Sequence, residues 1–493
     1  MRKLKKSSLV LMLTLCFMFT AFPAQASVPL APAELKQVNQ MVAEQLAKAK
    51  IPHVSIAVIQ ETGRDFLSYA YDGAGGMDEN TLFQLGSTSK AFTGLAILLL
   101  QDEGQLSLKD PVSRYIPWIT VLYDGSEVNP DDFTIANLVY QNSGFTNDEA
   151  KYPRATGDMT LEENIRNITG TTLSFYPSER YAYANTNYYL LGYIIEVVSG
   201  QNYQQFMHDR IFTPLGLHHT YASSDTIGAE ETQAGGSRIS FLSPHPYELP
   251  VTPGNVPAGY IQSNAADLSR WAEIQLGEIE VSEQFSRIIQ LSHQPNPESV
   301  VNDHTTYACG WFVNEQTNEI YHSGGTPNYS SRITLRPDDN MAVCVLTNMN
   351  ASANTEAIAA NILAILDGTG PAPYQNDIWT LLDFIFTVIS AACGLGILVL
   401  ILVLIRAGYL VQNGRYVKRP VRKIALKLVL PVLLVLLSVF TFVLLPAIFG
   451  ADWSSMLLWG PPSILTGCIL LLVFSLLMAA TVLALSQYRR FSK

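Results

Sequence analysis

Three stretches near the C-terminus, residues 384–405, 428–448 and 464–485, contain no charged side chain. Each is long enough to cross a hydrocarbon core of roughly 30 Å as a helix. Buried helices of water-soluble proteins seldom stay uncharged for so long, so the chain is expected to end in three transmembrane helices. The connection after the first stretch holds Arg406, Arg415, Lys418, Arg419, Arg422 and Lys423 and no acid; the connection after the second holds Asp452, Trp453 and Trp459. Under the positive-inside bias the basic connection and the Arg489-Arg490 tail are cytoplasmic, and the aromatic connection lies at the outer interface. Residues before 384 are then outside.

The N-terminus agrees. Arg2, Lys3, Lys5 and Lys6 precede an apolar run over 9–22, and Ala24-Gln25-Ala26 forms a small-x-small site before Ser27, the pattern of a cleaved signal peptide over 1–26. The expected organisation is an exported domain over 27–366, a Pro, Gly and polar linker over 367–383, a three-helix membrane region over 384–485 and a cytoplasmic tail over 486–493. The net charge of -11 resides in the exported part and argues against a nucleic-acid partner. Cys16 falls in the signal segment, and Cys393 and Cys468 fall in the spans. Cys309 and Cys344 are left as a disulfide or as two buried thiols. Cys and His show no zinc spacing, so neither a metal nor another cofactor is expected.

Within the exported part, 33–48 has helical spacing, 53–60 and 65–71 read as paired strands, and a helix starts at Ser87 and runs through 95–100. Strand-like runs follow much later at 307–314, 319–322, 332–336 and 341–348, and 355–366 is helical again. Strands from both ends with a helical middle predict an α/β fold: an antiparallel sheet flanked by helices, completed by both chain ends, beside an inserted helical domain.

Ser87 and Lys90 open the helix that starts at 87, three residues apart and so on one face. A serine hydroxyl needs a neighbouring base to become a nucleophile, and a lysine held among apolar groups can shed its proton to act as one. The same pair also arises as a capping serine followed by a solvated lysine. Two further segments bear on the choice. Tyr183-Ala184-Asn185 offers a phenol for proton relay and an amide for Lys90 or a substrate carbonyl. His322-Ser323-Gly324-Gly325 ends a strand with glycines against which a substrate backbone can lie, and an N–H there can pair with that of Ser87 as an oxyanion hole.

These three segments, in order, resemble the class C β-lactamase and D-aminopeptidase family of penicillin-recognising serine hydrolases. The resemblance covers about 35–366. Residues 138–145 (Leu-Val-Tyr-Gln-Asn-Ser-Gly-Phe) are similar to a further family segment, with Gln141 and Asn142 departing from it; Pro257-Ala258-Gly259-Tyr260 with Asp267-Leu268, and Gly310-Trp311, match others. The resemblance implies a β-lactamase-like fold, Ser87 as nucleophile, Lys90 and Tyr183 sharing the proton transfers, and Asn185, His322, Gly324 and Gly325 binding substrate. His322 stands where many members hold a lysine. Within the family, a signal peptide plus three C-terminal spans is similar to the membrane peptidases that remove an N-acyl-D-asparagine cap from nonribosomal peptide prodrugs, such as the colibactin-maturing peptidase. Local wording at 255–260, 324–331 and 452–461 agrees, whereas Gln84 and Asn185 depart from that enzyme. The implied partners are a small peptide or acyl-peptide substrate and the lipid bilayer. Gly394, Gly396, Pro431 and Pro446 in the spans read either as ordinary helix packing or as a homodimer surface through the membrane helices. A D,D-peptidase, β-lactamase or esterase of the envelope, and a receptor acylated by a β-lactam without turnover, are the alternatives.

Overall fold

The computed structural model describes residues 30–490 apart from 62, 72–76, 149, 150, 153 and 419–423. The expected signal segment, Cys16, Arg419, Arg422 and Lys423 lie outside the described residues. Eight antiparallel strands form the central sheet: β1 (His53–Gln60), β2 (Gly63–Ala70), β3 (Val300–Asn302), β4 (Thr305–Tyr307), β5 (Phe312–Asn314), β6 (Glu319–Gly325), β7 (Ser330–Arg336) and β8 (Met341–Thr347), in the spatial order β2-β1-β8-β7-β6-β5-β4-β3. The first two strands join the last six because β1 pairs with β8, Val54 opposite Thr347 and Val58 opposite Val343. The sheet is therefore completed by segments from both ends of the part that precedes the apolar helices, as expected from the sequence.

Strand β8 is buried on both faces, and its alternation divides the core in two. Val343 and Val345 join Val38, Val42 and Leu46 of α1 (Pro32–Ala49) under a cover shared with Ile358 and Ile362 of α5 (Ser352–Leu366). Ala342, Cys344 and Leu346 face the opposite way, into the large core that contains the helical body. At the centre of that body α2 (Ser89–Asp102) is buried from Ser89 to Leu100, as its apolar sequence requires. Phe92 stacks on Trp271 of α4 (Ala265–Leu276) at 4.3 Å. A further long helix, α3 (Asn185–Ser199), packs beside α2.

The run over 307–314 is two strands rather than one. Gly310 has φ 79°, and a Cβ there would sit 2.6 Å from the carbonyl oxygen of Lys90 and 2.7 Å from Cα of Ala91. The chain turns at 308–311 so that glycine can press against the start of α2, and that contact splits β4 from β5. Cys309 and Cys344 are buried free thiols; the disulfide is not formed.

Among the described residues, three helices are long and apolar enough to cross a membrane: α6 (Ile378–Gln412), α7 (Ile424–Ile448) and α9 (Ser463–Ser486). Helix α9 packs against both others, and Gly396 meets Phe474 there while Gly394 faces open space. Helix α6 begins at Ile378, so the segment read as linker is partly helical. It is also tied down: the Ala372 N–H donates to the Asn361 side chain at 2.8 Å, and Asp377 caps α6 through the Trp379 N–H at 2.8 Å. The short α8 (Trp453–Trp459) lies in the connection between α7 and α9. Strands Tyr416–Lys418 and Tyr488–Arg490 pair at the other end of the bundle, bringing the two basic segments together.

Gly310→Ala should lower stability by about 2 kcal/mol more than Gly104→Ala. Both residues occupy left-handed backbone, which costs an alanine about 1–2 kcal/mol, but only Gly310 has backbone in the space a methyl would take. Urea melts of the detergent-solubilised protein measure the difference.

Candidate active site

Gly86, at φ 55°, opens a single tight turn, Gly86–Thr88, that delivers Ser87 to the N-terminus of α2. The Thr88 hydroxyl donates to the Leu85 carbonyl at 2.8 Å, and Ser331 on β7 donates to the same oxygen at 2.5 Å. Side chains are excluded where turn and sheet cross: a Cβ on Gly86 would collide with the amide nitrogen of Gly325, and one on Gly324 with the Leu85 carbonyl. The two glycines that end β6 therefore have separate tasks. Gly324 is buried against the turn, while Gly325 lines the cavity in front of Ser87.

Lys90 is fully buried. Its Nζ reaches Ser87 Oγ at 3.2 Å, Asn185 Oδ1 at 2.8 Å and the Ala258 carbonyl at 2.6 Å. Two of these partners are pure acceptors, and neither is a carboxylate. Burial without a counter-charge drives the amine well below its usual value near 10.5. In the neutral form its two N–H groups satisfy Asn185 and Ala258, which leaves the lone pair for the Ser87 hydroxyl.

Tyr183 lies beside this pair, with Lys90 Nζ 4.8 Å from its ring centroid. Burial raises the phenol. The Tyr183 OH is buried without a hydrogen-bond partner. His322 stands behind, its ring centroid 6.1 Å from that of Tyr183 and 5.1 Å from that of Phe312. Its Nδ1 pairs with the Ser323 carbonyl at 2.6 Å. Burial lowers it to about 3, so the imidazole is neutral and supplies no cation at the position where many family members hold a lysine.

The Tyr183-Ala184-Asn185 loop is held by a residue that sequence reading had noted only as a departure. Gln141, at φ 61°, accepts the Ala184 N–H at 2.9 Å and the Asn187 amide at 2.5 Å through Oε1, and the Ala182 N–H at 2.9 Å through its carbonyl. Ser143 donates to Asn187 Oδ1 at 2.6 Å. Ser87, Lys90, Tyr183, Asn185 and Gly325 thus converge, with His322 and Gly324 forming the layer behind them.

A model of the beta-lactamase family matches residues 38–367. The chain belongs to the beta-lactamase family. The family's fold is also seen in solved structures: the octameric penicillin-binding protein homologue from Pyrococcus abyssi aligns with TM-score 0.59 and 25% identity over 71% of this chain and 81% of that one. A class C beta-lactamase aligns with TM-score 0.58 and 20% identity over 67% and 96%. Among curated proteins, protein flp of Staphylococcus aureus (strain MW2) is 32% identical over 325 residues, 64% of this chain and 63% of that protein. Penicillin-binding protein 4* of Bacillus subtilis (strain 168) is 27% identical over 326 residues, 61% and 69%. The match to flp thus spans less than two thirds of that protein's length.

One wall of the cleft lies outside the part that matches the beta-lactamase family. A cavity of about 320 Å³ joins Ser87, Tyr183, Asn185 and Gly325 to Trp379 on α6 and to Phe449, Asp452, Met456 and Trp459 of the connection between α7 and α9. That connection is fastened to the family domain: Arg238 donates to the Leu457 carbonyl at 3.0 Å, Tyr247 to that of Leu458 at 3.2 Å and Asn350 to that of Trp459 at 3.1 Å. A narrower arm runs past Arg154, Tyr189, Asn255 and Tyr260. Sequence reading missed Asn147, which accepts from the Asn185 amide at 3.2 Å, and Arg154. It had singled out the wording at 452–461 without assigning it a place.

Stability should fall on acidification below about pH 6.5. His322, near 3, and His293, lowered by burial to about 4, stay neutral in the fold while the unfolded chain takes up their protons. The loss grows as pH falls toward the folded values. Urea melts at pH 7 and pH 4.5 should show a smaller drop in His293→Gln than in the parent.

Proposed function

We propose that this chain is a membrane-anchored serine hydrolase whose catalytic domain faces away from the cytoplasm. In this reading it cleaves an amide next to a D-amino acid that carries an N-acyl group. One observation supports the choice of substrate: the cavity at Ser87 is half polar, toward Asn147 and Asn185, and half apolar, toward Trp379, Phe449, Met456 and Trp459. A short polar residue fits beside Asn185 with its acyl chain along the aromatic wall.

Neutral Lys90 takes the Ser87 proton as Oγ attacks the carbonyl carbon. The N–H groups of Ser87 and Gly325 face the oxygen on which negative charge develops. As the C–N bond breaks, the proton passes by way of Tyr183 to the leaving nitrogen, and an acyl-serine remains. Water, activated by the same groups, releases the acid and restores Ser87. Asn185 holds Lys90 and offers its amide to the substrate. His322, neutral and enclosed, keeps Tyr183 in place. The specific candidate substrate is an N-acyl-D-asparagine amide. A second reading, a D,D-peptidase or β-lactamase, draws on Arg154, which places a guanidinium at the narrow arm for a substrate carboxylate.

Ser87→Ala should abolish formation of the covalent acyl adduct seen by intact-protein mass spectrometry and leave the melting temperature within about 2 °C of the parent. Undiminished turnover by that variant would overturn the assignment. Because Lys90 must be neutral, kcat/KM should rise with pH along an acid limb displaced well below the usual lysine value of 10.5, and Lys90→Arg should abolish it. Hydrolysis of an N-myristoyl-D-Asn amide, its L isomer and a D-Ala-D-Ala peptide by the full chain separates the readings. No preference for the D-Asn substrate removes the first, and acylation without turnover points to a receptor.

A further inference from the structure

Strands Ser237–Ser240 and Ser243–Pro246 form a hairpin closed by two residues, Phe241 and Leu242. Both are left-handed, at φ 49° and 65°. A two-residue turn of this kind is the usual place for Asn-Gly, and bulky apolar side chains there are strained. The strain is borne by a dedicated clamp. Asp383, fully buried on α6, accepts the Phe241 N–H at 2.9 Å and the Leu242 N–H at 2.7 Å, together with the Ser463 hydroxyl of α9 at 2.6 Å. Lys50 donates to the Leu242 carbonyl.

The apolar side chains at this tip do not disappear into a core. Phe241 is 44% exposed, and beside Asp383 on α6 Phe384 is 55% and Leu381 is 40% exposed. A cavity of about 340 Å³ between tip and helix is lined by Leu242, Leu381 and Phe384 and rimmed by Lys48 and Lys50. Lys48 is shared with Glu44 at 2.5 Å. The uncharged stretch of α6 starts at Phe384, and at about 1.5 Å per residue its span to residue 405 matches a hydrocarbon core. The clamp therefore stands at the outer edge of that core, and the tip is level with it.

We propose that the Phe241-Leu242 tip is a bilayer-docking element of the catalytic domain. Phe241 and Leu242 enter the upper acyl-chain region of the outer surface beside Phe384, with Lys48 and Lys50 at the level of the lipid phosphates. The bilayer is the occupant because the tip's apolar surface is continuous with that of α6, which lipid must cover over the same depth. Docking sets the tilt of the domain and holds the cleft at the membrane surface. The proposal rests on the three helices spanning a membrane, and stands apart from the chemistry at Ser87.

The full chain is reconstituted in nanodiscs of phosphatidylethanolamine and phosphatidylglycerol, carrying an environment-sensitive fluorophore at Phe241→Cys or, on the exposed side of the same hairpin, at His245→Cys. The unsubstituted chain is the labelling blank. Lipids with a nitroxide high on the acyl chain should quench the label at 241 at least threefold more strongly than the label at 245. Equal quenching overturns the proposal. So does a blue-shifted label at 241 that lipid nitroxides do not reach, which would assign the tip to a second copy of the chain or another protein. A double variant, Phe241→Asn with Leu242→Gly, supplies ordinary turn chemistry. It should melt in detergent at or above the parent and gain less than the parent on transfer to nanodiscs. Lower melting by the same amount in both media would mean the two side chains only pack, and would overturn the proposal.

Discussion

An amine buried with no carboxylate beside it is the constraint on which the site depends. Placing Lys90 away from water costs several kcal/mol if it is charged, and the surrounding groups do not offset that cost with opposite charge. They select the neutral form and aim it. Asn185 and the Ala258 carbonyl take its two protons, and the helical turn from Ser87 to Lys90 leaves the serine hydroxyl at the remaining position. Much of the local architecture maintains this arrangement. Gln141 holds the loop that carries Asn185, and Gly310 lets the 308–311 turn press on the start of α2. Gly86 and Gly324 allow the turn that carries Ser87 to cross the end of β6.

The sheet and the reacting groups were legible because their signals are local. Short apolar runs at 53–60 and 341–348 give strands, and a Ser-x-x-Lys pair at the head of an apolar helix gives its own geometry. Contacts between distant segments left weaker traces. The 307–314 run looked continuous because the reason for its break, the start of α2, is far away in the sequence. Gln141 read as a departure from a family segment, yet its side-chain oxygen organises the Tyr183-Ala184-Asn185 loop. Segment 367–383 has linker composition but is partly helical and tied down by Asn361 and Asp377. The aromatic wall was least visible, since nothing in 449–459 says which distant surface it meets.

The relation between the family domain and the apolar helices goes beyond tethering. Asp383 joins the Phe241-Leu242 turn to α9, and Arg238, Tyr247 and Asn350 grip the backbone of α8. These bonds fix the wall of the cleft relative to Ser87. The beta-lactamase family match ends at 367, so residues beyond the shared fold form part of the cavity that holds Ser87.

That shared wall also bears on how the protein matures. In the order of synthesis Ser87 comes early and Trp459 late, with two of the three apolar helices between them. A chain whose domain has folded but whose helices have not yet packed already holds Ser87, Lys90 and Tyr183, with a cleft open along one side. The cavity is completed only when α7 and α9 bring their connection up against the domain. Packing of the apolar helices is thus the last step in building this cavity, and a chain in which they have not packed carries Ser87 without the wall formed by Trp379, Phe449, Met456 and Trp459.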